Sequence, residues 1–240
     1  MKTPTISYAD TSIGELVAND PRKAQIFKSY NIDYCCGGKR TLRDACLENQ
    51  IKVNVIENEL QQLEVQPHTM HNYAAWPLDF LADFIENTHH KYTRSSLSFL
   101  SEVVNTVTTV HADRHPELLE IRSHFKALAD ELEQHMLKEE TILFPYIREL
   151  VKNELPSPPP FGSIANPIQV MENEHEGAGT HLSAIQLLSH NFTPPEDACT
   201  SYRVLYASLE EFVNDLHQHI HLENNILFPR AIDVEAELFY

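Results

Sequence analysis

Glycine, cysteine and basic residues are all scarce in this chain, and each shortage argues against a class of protein. Only 6 of the 240 residues are glycine and period-two alternation is hard to find, so a β-rich fold is not expected. Four cysteines are too few for a disulfide framework in a chain of this length, which favours a cytoplasmic location. Lys and Arg number 18 against 35 Asp and Glu, and a formal charge of −17 disfavours nucleic acid and anionic membranes as partners.

Long apolar runs are missing as well. The first 16 residues contain no run of seven apolar residues, so no secretory signal is expected. The chain also lacks the stretch of about 18 apolar residues that would predict a transmembrane helix. Bound cations would offset part of the negative charge, although an ordinary acidic surface gives the same total. Histidine, with 14 copies, is the one residue type present in unusual number.

Helical periodicity dominates what is present. Residues 1–63 predict a small domain of short helices, residues 64–77 a linker with two prolines, and residues 78–240 a four-helix bundle. Proline-containing breaks separate the four long helices, which are predicted over about 78–112, 116–152, 167–190 and 196–230. The sequence therefore predicts an all-α fold in which a small helical domain precedes the bundle.

The bundle region contains an internal repeat. Residues 135–145 (HMLKEETILFP) and 219–229 (HIHLENNILFP) match at an offset of 84. In both copies, apolar residues at steps of four and three form the core-facing seam of a bundle helix. The seams consist of Ile121, Phe125, Leu128, Leu132 and Ile142 in one copy, and of Leu205, Leu209, Phe212, Leu216 and Ile226 in the other. The pairs His135/Glu139 and His219/Glu223 therefore occupy core positions.

A buried carboxylate requires an explanation, because its transfer from water into an apolar core costs several kcal/mol unless it is paired or binds a cation. Residues at i and i+4 share one helix face, with Cβ atoms roughly 5–6 Å apart, so each His and Glu can reach the same metal cluster. A hydrogen-bonded pair without metal would explain one such His and Glu. Two equivalent pairs in one core favour a metal site.

The other two helices offer ligands at matching positions. In the first helix, the apolar seam runs back to His90 and consists of Leu97, Leu100, Val104 and Val107. In the third helix, the seam passes through His175 and consists of Met171, Ala178, Leu182 and Ile185. His90 precedes His135 by 45 residues and His175 precedes His219 by 44, so the repeat includes both. The adjacent His89 stays an alternative to His90.

Three other histidines are expected to lie outside the site. His217 and His221 flank His219 and are predicted to face solvent, and His111 is predicted to lie at the end of the core.

The two helices of the second hairpin have unequal predicted lengths, so the start of the fourth helix is left open. About 24 Å of helix follows His175, whereas roughly 35 Å separates Pro195 from His219. Either residues 190–197 run back along the bundle, or the fourth helix begins late.

Four imidazoles and two carboxylates in two equivalent halves are typical of a site for two metal ions. Carboxylate bridging favours iron or manganese, and the lack of thiolate ligands argues against a structural zinc site. We therefore expect two non-haem iron ions bridged by Glu139 and Glu223, with positions open for water, an oxo or hydroxo bridge, dioxygen or nitric oxide.

A ferritin-like di-iron oxidase is the nearest rival architecture. That class takes a single Glu from two helices and a Glu-x-x-His motif from each of the other two. Glu86-x-x-His89 and Glu172-x-x-His175 spell this motif. The arrangement would, however, leave His135 and His219 in the core without a role.

These motifs, together with the MENEH segment ending at His175 and DYCCGGKRTL at 33–42, resemble the Repair of Iron Centres family of di-iron proteins (ScdA/YtfE type). The resemblance spans nearly the whole chain and implies an ScdA-like domain followed by a hemerythrin-like bundle of two duplicated helical hairpins. Gly179 stands where oxygen-carrying hemerythrins have a further histidine, which argues against reversible oxygen transport. The implied roles are terminal ligands for His90, His135, His175 and His219, and bridging ligands for Glu139 and Glu223.

The resemblance also implies a function: repair of iron–sulfur clusters damaged by nitrosative or oxidative stress, through donation of iron to damaged iron–sulfur proteins. A nitric oxide or dioxygen reductase at the same centre, and a sensor or iron store, stay open as alternatives. Cys35 and Cys36 would then be a redox pair or a transient ligand for iron or nitric oxide, or two ordinary cysteines of a small domain. The oligomeric state is left open, and a homodimer is one arrangement compatible with the sequence.

Overall fold

The structure, a computed structural model, describes residues 7–64, 72–152 and 159–239. Within these ranges it is helical, apart from turns and one isolated bridge between Ser12 and Thr41, so the all-α prediction is confirmed. The helices are α1 (Ile13–Asn19), α2 (Lys23–Ser29), α3 (Leu42–Glu48), α4 (Val53–Glu64), α5 (Leu78–Phe84), α6 (Lys91–His111), α7 (Glu117–Lys138), α8 (Phe144–Lys152), α9 (Ala165–Leu188), α10 (Thr200–Leu222) and α11 (Phe228–Phe239). None of the helices in the described ranges combines the length and apolar character needed to span a membrane.

The chain packs as two compact units. The N-terminal unit consists of Met1–Pro77 and Ile220–Arg230, and the bundle unit of Leu78–His219 and Ala231–Tyr240. Residues 65–71 of the predicted 64–77 linker lie outside the described residues, so the predicted domain limits stay a prediction. The described part of that linker contains a short 3₁₀ helix at Tyr73–Ala75.

Two capped helices organise the N-terminal unit. The side chain of Ser12 accepts a hydrogen bond from the Glu15 amide at the start of α1, and Thr41 does the same for Asp44 at the start of α3. The bridge between Ser12 and Thr41 joins these two helix starts. The core beneath them is fully buried and consists of Ile13, Val17, Phe27, Leu42, Ala45, Cys46, Ile56 and Leu60.

Asn225 holds the Cys35–Cys36 turn within this unit. Its side-chain amide donates to the carbonyl oxygens of Tyr34, at 3.3 Å, and Cys35, at 3.2 Å. The Asn225 side chain fits here only because residues 14 and 38 are glycine. A Cβ atom on Gly14 would lie 2.0 Å from Asn225 Oδ1, and a Cβ atom on Gly38 would lie 2.4 Å from it. The two glycines therefore make room for the Asn225 side chain.

We expect the Gly14→Ala variant to lose about 1–3 kcal/mol of unfolding free energy, because the new methyl group must displace Asn225 from the turn. Chemical denaturation measures this loss. Gly177→Ala is the matched control, since its Cβ would meet only Glu131 Oε2 at 3.9 Å. Alanine in that helix interior is expected to stabilise by about 0.5–1 kcal/mol. Equal effects of the two substitutions would contradict the close approach.

The four long helices bury the predicted seams, with one exception. Helical stretches over 78–111, 117–152, 165–188 and 200–239 correspond to the four predicted long helices. The helix α7 packs against α6 and α9, and α5 packs against α8. All predicted seam residues are buried except Ile142, which is 49% exposed, whereas its repeat partner Ile226 is 2% exposed. The prediction for Ile142 was therefore wrong.

A π-helical turn explains the failure at Ile142. Residues Glu139–Leu143 form a π segment, and Glu223–Leu227 form another at the equivalent place in the repeat. Each precedes a proline of the ILFP tails, Pro145 or Pro229, whose ring would clash with the carbonyl four residues earlier in a regular α-helix. The wider turn shifts the register by one residue, so Leu143 is buried in place of Ile142, and Leu227 is buried at the equivalent place in the repeat. Ile226 is buried as well, because α1 packs against its π segment within the N-terminal unit. A third π segment, Ile85–His90, joins α5 to α6.

Two further expectations are resolved by the fourth helix. It begins late, at Thr200, after a loop at residues 189–199, which shortens the stretch before His219 to about 28 Å. His221, predicted to face solvent, is buried in the N-terminal unit instead, with its ring 5.7 Å from that of Tyr34. Burial lowers the pKa of His221 to about 4, so the ring is neutral at neutral pH.

Candidate metal centre

The structure gathers the six predicted ligands into two overlapping groups. One group contains His90, Glu139, His219 and Glu223; the other contains His135, Glu139, His175 and Glu223. Within each group the candidate donor atoms lie within 4.8 Å of one another, and every member is buried. The two glutamates belong to both groups.

The interatomic distances show how Glu139 is shared. Its Oε2 lies 3.3 Å from Nε2 of His90, and its Oε1 lies 3.4 Å from Nε2 of His135. The carboxylate is thus directed at one histidine of each group. In the second group, Nε2 of His135 and Nε2 of His175 are 2.9 Å apart.

These donors fit metal ions. Two nitrogen ligands about 2.1 Å from one ion lie about 3 Å apart, which agrees with the separation of the His135 and His175 nitrogens. A carboxylate that is 0% exposed, as Glu139 and Glu223 both are, is stabilised by a cation that offsets its loss of hydration. Imidazole and carboxylate donors without thiolate suit a borderline or hard cation such as iron. The buried cluster can therefore hold metal, and the six side chains would be its ligands.

Two carboxylates outside these groups orient the ligand imidazoles. Glu140 accepts a hydrogen bond from Nδ1 of His90 at 2.7 Å and two from Arg94 at 2.8 and 2.9 Å. Burial would raise the pKa of Glu140, but the hydrogen bonds from Arg94 and His90 lower it below its usual value. With a charged acceptor on Nδ1, the Nε2 atom of His90 is directed at the cluster, 3.3 Å from Oε2 of Glu139.

Glu174 orients the imidazole of His135 as Glu140 orients that of His90. It accepts from Nδ1 of His135 at 2.9 Å and also contacts the Lys138 ammonium group. The hydrogen bond from His135 lowers the pKa of Glu174 to about 2, so the carboxylate is charged at neutral pH. The two orienting carboxylates come from different places in the repeat, since Glu140 follows Glu139 whereas Glu174 precedes His175.

We expect Glu140→Ala to weaken iron binding about 10- to 100-fold, because His90 would lose the acceptor that sets its ring orientation. Competition with a coloured iron chelator measures the affinity. Glu120→Ala removes an exposed carboxylate from the same chain and should leave the affinity unchanged. If both variants bind iron as tightly as the parent chain, Glu140 does not orient His90.

The alternative first-helix ligand, His89, has a different environment. It is buried, its Nδ1 lies 3.0 Å from Asp215 Oδ1, and its ring stacks on His219 at 5.6 Å between centroids. Among the described residues, His89 belongs to neither ligand group, and the same holds for Glu86 and Glu172 of the ferritin-like pattern. Glu86 instead pairs with Arg148 at 2.6 Å. The geometry favours His90 and disfavours the ferritin-like arrangement.

A cavity of about 470 Å³ lies between α7 and α9 beside the second ligand group. His135 and His175 line it, together with Glu174, Gly177 and Ala178. Gly177 and Ala178 carry no more than a methyl group, so the groove is open where a larger side chain would fill it. A small molecule can therefore approach two of the candidate ligands.

The vicinal cysteines form a separate cluster in the N-terminal unit. Their sulfur atoms are 3.8 Å apart, and Asp33 accepts hydrogen bonds from the backbone amides of Cys35, Cys36 and Gly37. Cys35 is buried, whereas Cys36 is partly exposed. The contact with Cys36 and burial raise the pKa of Cys35 well above its usual value, so its thiol stays protonated. Asp33 and the two thiols lie close enough to share a cation.

Sequence reasoning missed the orienting residues Glu140 and Glu174. Each is one polar residue among many on a helix surface, and helical periodicity gives no sign of which neighbour it meets. The one available signal is position: Glu140 and Glu174 directly adjoin predicted ligands in the sequence.

Comparison with known proteins identifies both parts of the chain. The hemerythrin HHE cation binding domain family matches residues 84–231. The ScdA_N family, described as a domain of unknown function (DUF542), matches residues 9–64. The hemerythrin match confirms the predicted hemerythrin-like bundle.

Full-length relatives match across both regions. A protein named iron-sulfur cluster repair protein YtfE from Musicola paradisiaca is 39% identical over 229 residues, covering 95% of this chain and 99% of the relative. Proteins of the same name from Dickeya chrysanthemi, 38% identical, and Yersinia pseudotuberculosis, 37% identical, cover 94% and 95% of the chain and 98% and 99% of their own lengths. The chain therefore belongs to the family of YtfE iron–sulfur cluster repair proteins, with an ScdA_N domain followed by a hemerythrin HHE cation-binding domain.

Proposed function

We propose that this chain repairs damaged iron–sulfur clusters by donating iron from a centre of two iron ions. The name of its relatives supports the repair function. The observation that carries the di-iron assignment is that Glu139 and Glu223 belong to both ligand groups, as carboxylates that bridge two ions would. The terminal ligands would be His90 and His219 for one ion, and His135 and His175 for the other.

The donor atoms suit a cargo that must leave. Iron(II) has borderline softness, so imidazole and carboxylate donors hold it without competing strongly against the sulfur ligands of a damaged cluster. When bound, iron supplies coordination bonds that can be exchanged for those sulfur ligands. Glu140 and Glu174 keep His90 and His135 oriented, which would allow the emptied centre to be reloaded without rearrangement.

The vicinal cysteines are part of the proposal as accessory groups. Cys36 would react or bind first, because it is partly exposed, whereas the buried Cys35 thiol is held protonated by its surroundings. A cytoplasmic location belongs to the proposal because thiols remain reduced there. The clients would be iron–sulfur proteins whose clusters have lost iron to nitric oxide or to an oxidant.

The test is to mix the iron-loaded protein with a dehydratase whose cluster has lost iron. We expect dehydratase activity to return in proportion to the iron that leaves this protein. Cys36→Ser is expected to slow the return, and Cys199→Ser, which alters an exposed free thiol elsewhere, serves as its control. No recovery with the fully loaded protein would overturn the repair function.

A second arm addresses the reductase alternative, which the cavity beside His135 and His175 favours because it admits a small molecule. The iron-loaded protein is supplied with nitric oxide and an external reductant. A single stoichiometric reaction at most is expected under the repair proposal. Repeated formation of nitrous oxide with both irons retained would instead favour an enzyme.

A further inference from the structure

A second pair of histidines lies outside the six predicted ligands. His124 on α7 and His181 on α9 face each other, with their Nδ1 atoms 3.0 Å apart. The rings are 5.3 Å apart between centroids and tilted by 59°. The other ring nitrogen of His181, Nε2, lies 3.8 Å from Glu131 Oε1.

This arrangement has the features of a cation site. Two imidazole nitrogens about 3 Å apart are spaced as two ligands of one divalent ion, with metal–nitrogen bonds of about 2.1 Å. A histidine that binds metal through one nitrogen usually donates a hydrogen bond from the other to a carboxylate. Glu131 is the carboxylate on that side of His181, although 3.8 Å is beyond hydrogen-bond distance. Because both histidines are only partly buried, water can complete the coordination.

Open space lies one helical turn from His181. Gly177, one turn before His181, presents no side chain, and a Cβ atom there would meet only Glu131 Oε2 at 3.9 Å. Glu131 and Gly177 also line the cavity beside His135 and His175. The histidine pair therefore flanks the groove that borders the buried cluster, with His181 about 9 Å further along α9 than His175.

We propose that His124 and His181 form a second, partly exposed site for one divalent transition-metal ion, which would be iron(II) in the cell. Two imidazoles and water bind such an ion more weakly than the six buried donors do. The site would therefore capture iron reversibly at the surface. Its use in iron capture rests on the proposed repair function, whereas binding by the pair does not.

Zinc(II) is a suitable probe because it prefers imidazole ligands and is stable in air. The full chain, loaded with iron, is titrated with zinc by calorimetry, and the histidine side-chain nitrogen resonances are followed by NMR. We expect the His124 and His181 resonances to shift with a common midpoint. His124→Asn and His181→Asn should each weaken this zinc equivalent at least tenfold.

His190→Asn is the matched control. His190 is an exposed histidine at a left-handed position, φ 49°, which asparagine accepts, so the substitution removes an imidazole without strain. This variant should bind zinc as the parent chain does. Zinc held by Cys35 and Cys36 would be unaffected by any of the three substitutions.

Equal zinc affinity and stoichiometry in the parent chain and both pair variants would overturn the proposal. The contact between His124 and His181 would then be a hydrogen bond between two imidazoles and no metal site. The zinc titration tests the pair even if the buried centre proves to hold no iron. It uses only the difference in zinc affinity between the variants and the parent chain. A failure of the repair function would appear in the dehydratase experiment and not in this one.

Discussion

Replacing Glu139 with alanine is expected to remove most of the bound iron from the protein. The carboxylate belongs to both ligand groups and its two oxygens face His90 and His135, so both ions would lose a ligand at once. Loss of a single histidine, as in His175→Ala, touches only one group and should be less severe. Metal analysis of the purified variants gives iron per chain, and the parent protein should contain two.

The control is Glu133→Ala, which removes an exposed carboxylate less than two turns away on α7 and should retain the full iron content. Circular dichroism must show that the Glu139→Ala variant is still helical. If it is, the missing iron is due to loss of a ligand and not to unfolding of the chain. Two irons per chain in the Glu139→Ala variant would show that this residue does not bridge them.

The course of the helices could be predicted from sequence because burial imposes a period. Leu128 and Leu132 on α7, and Leu209 and Leu216 on α10, fall on the seam that faces the core, and each is buried. The same seam places His135 and His219 inside. The burial of these two histidines therefore follows from helical periodicity alone, without knowledge of the neighbouring helices.

The failures occur where the helix departs from that geometry or where another part of the chain covers it. Ile142 lies inside a π segment and moves out of register, although Pro145 was a signal that the regular helix is interrupted nearby. His221 lies on the outer side of its helix, but Tyr34 covers it. A contact between residues that far apart in sequence has no periodic signature.

The orienting carboxylates show a third limit. Glu140 and Glu174 reach ligand imidazoles on neighbouring helices, at 2.7 and 2.9 Å. Which glutamate meets which histidine depends on the rotation and axial shift of two packed helices, and one sequence does not specify either quantity. The meeting of the six side chains in one buried cluster was therefore predictable, whereas the hydrogen bonds that orient them were not. Their role as metal ligands stays a prediction.

Replacing Glu235 with alanine is expected to lower the unfolding free energy by about 3 kcal/mol. This buried carboxylate on α11 accepts hydrogen bonds from the Tyr146 hydroxyl at 2.7 Å, the Ser163 hydroxyl at 2.6 Å and the Ile164 amide at 2.9 Å. Ile164 precedes α9 and provides no side-chain cap, so Glu235 acts as the cap and its charge complements the helix dipole. Alanine would leave the buried donors of Tyr146 and Ile164 without their acceptor.

Thermal unfolding monitored by circular dichroism should show Tm reduced by about 6–12 °C for a chain of this size. Glu237→Ala, an exposed change on the same helix, should stay within about 0.5 kcal/mol of the parent. Glu235→Gln keeps one acceptor oxygen but not the charge, so its stability should fall between the two. The three donors come from α8 and from the start of α9, the helix that carries His175. If Glu235→Ala lowers the unfolding free energy no more than Glu237→Ala does, α9 is anchored by its apolar seam alone.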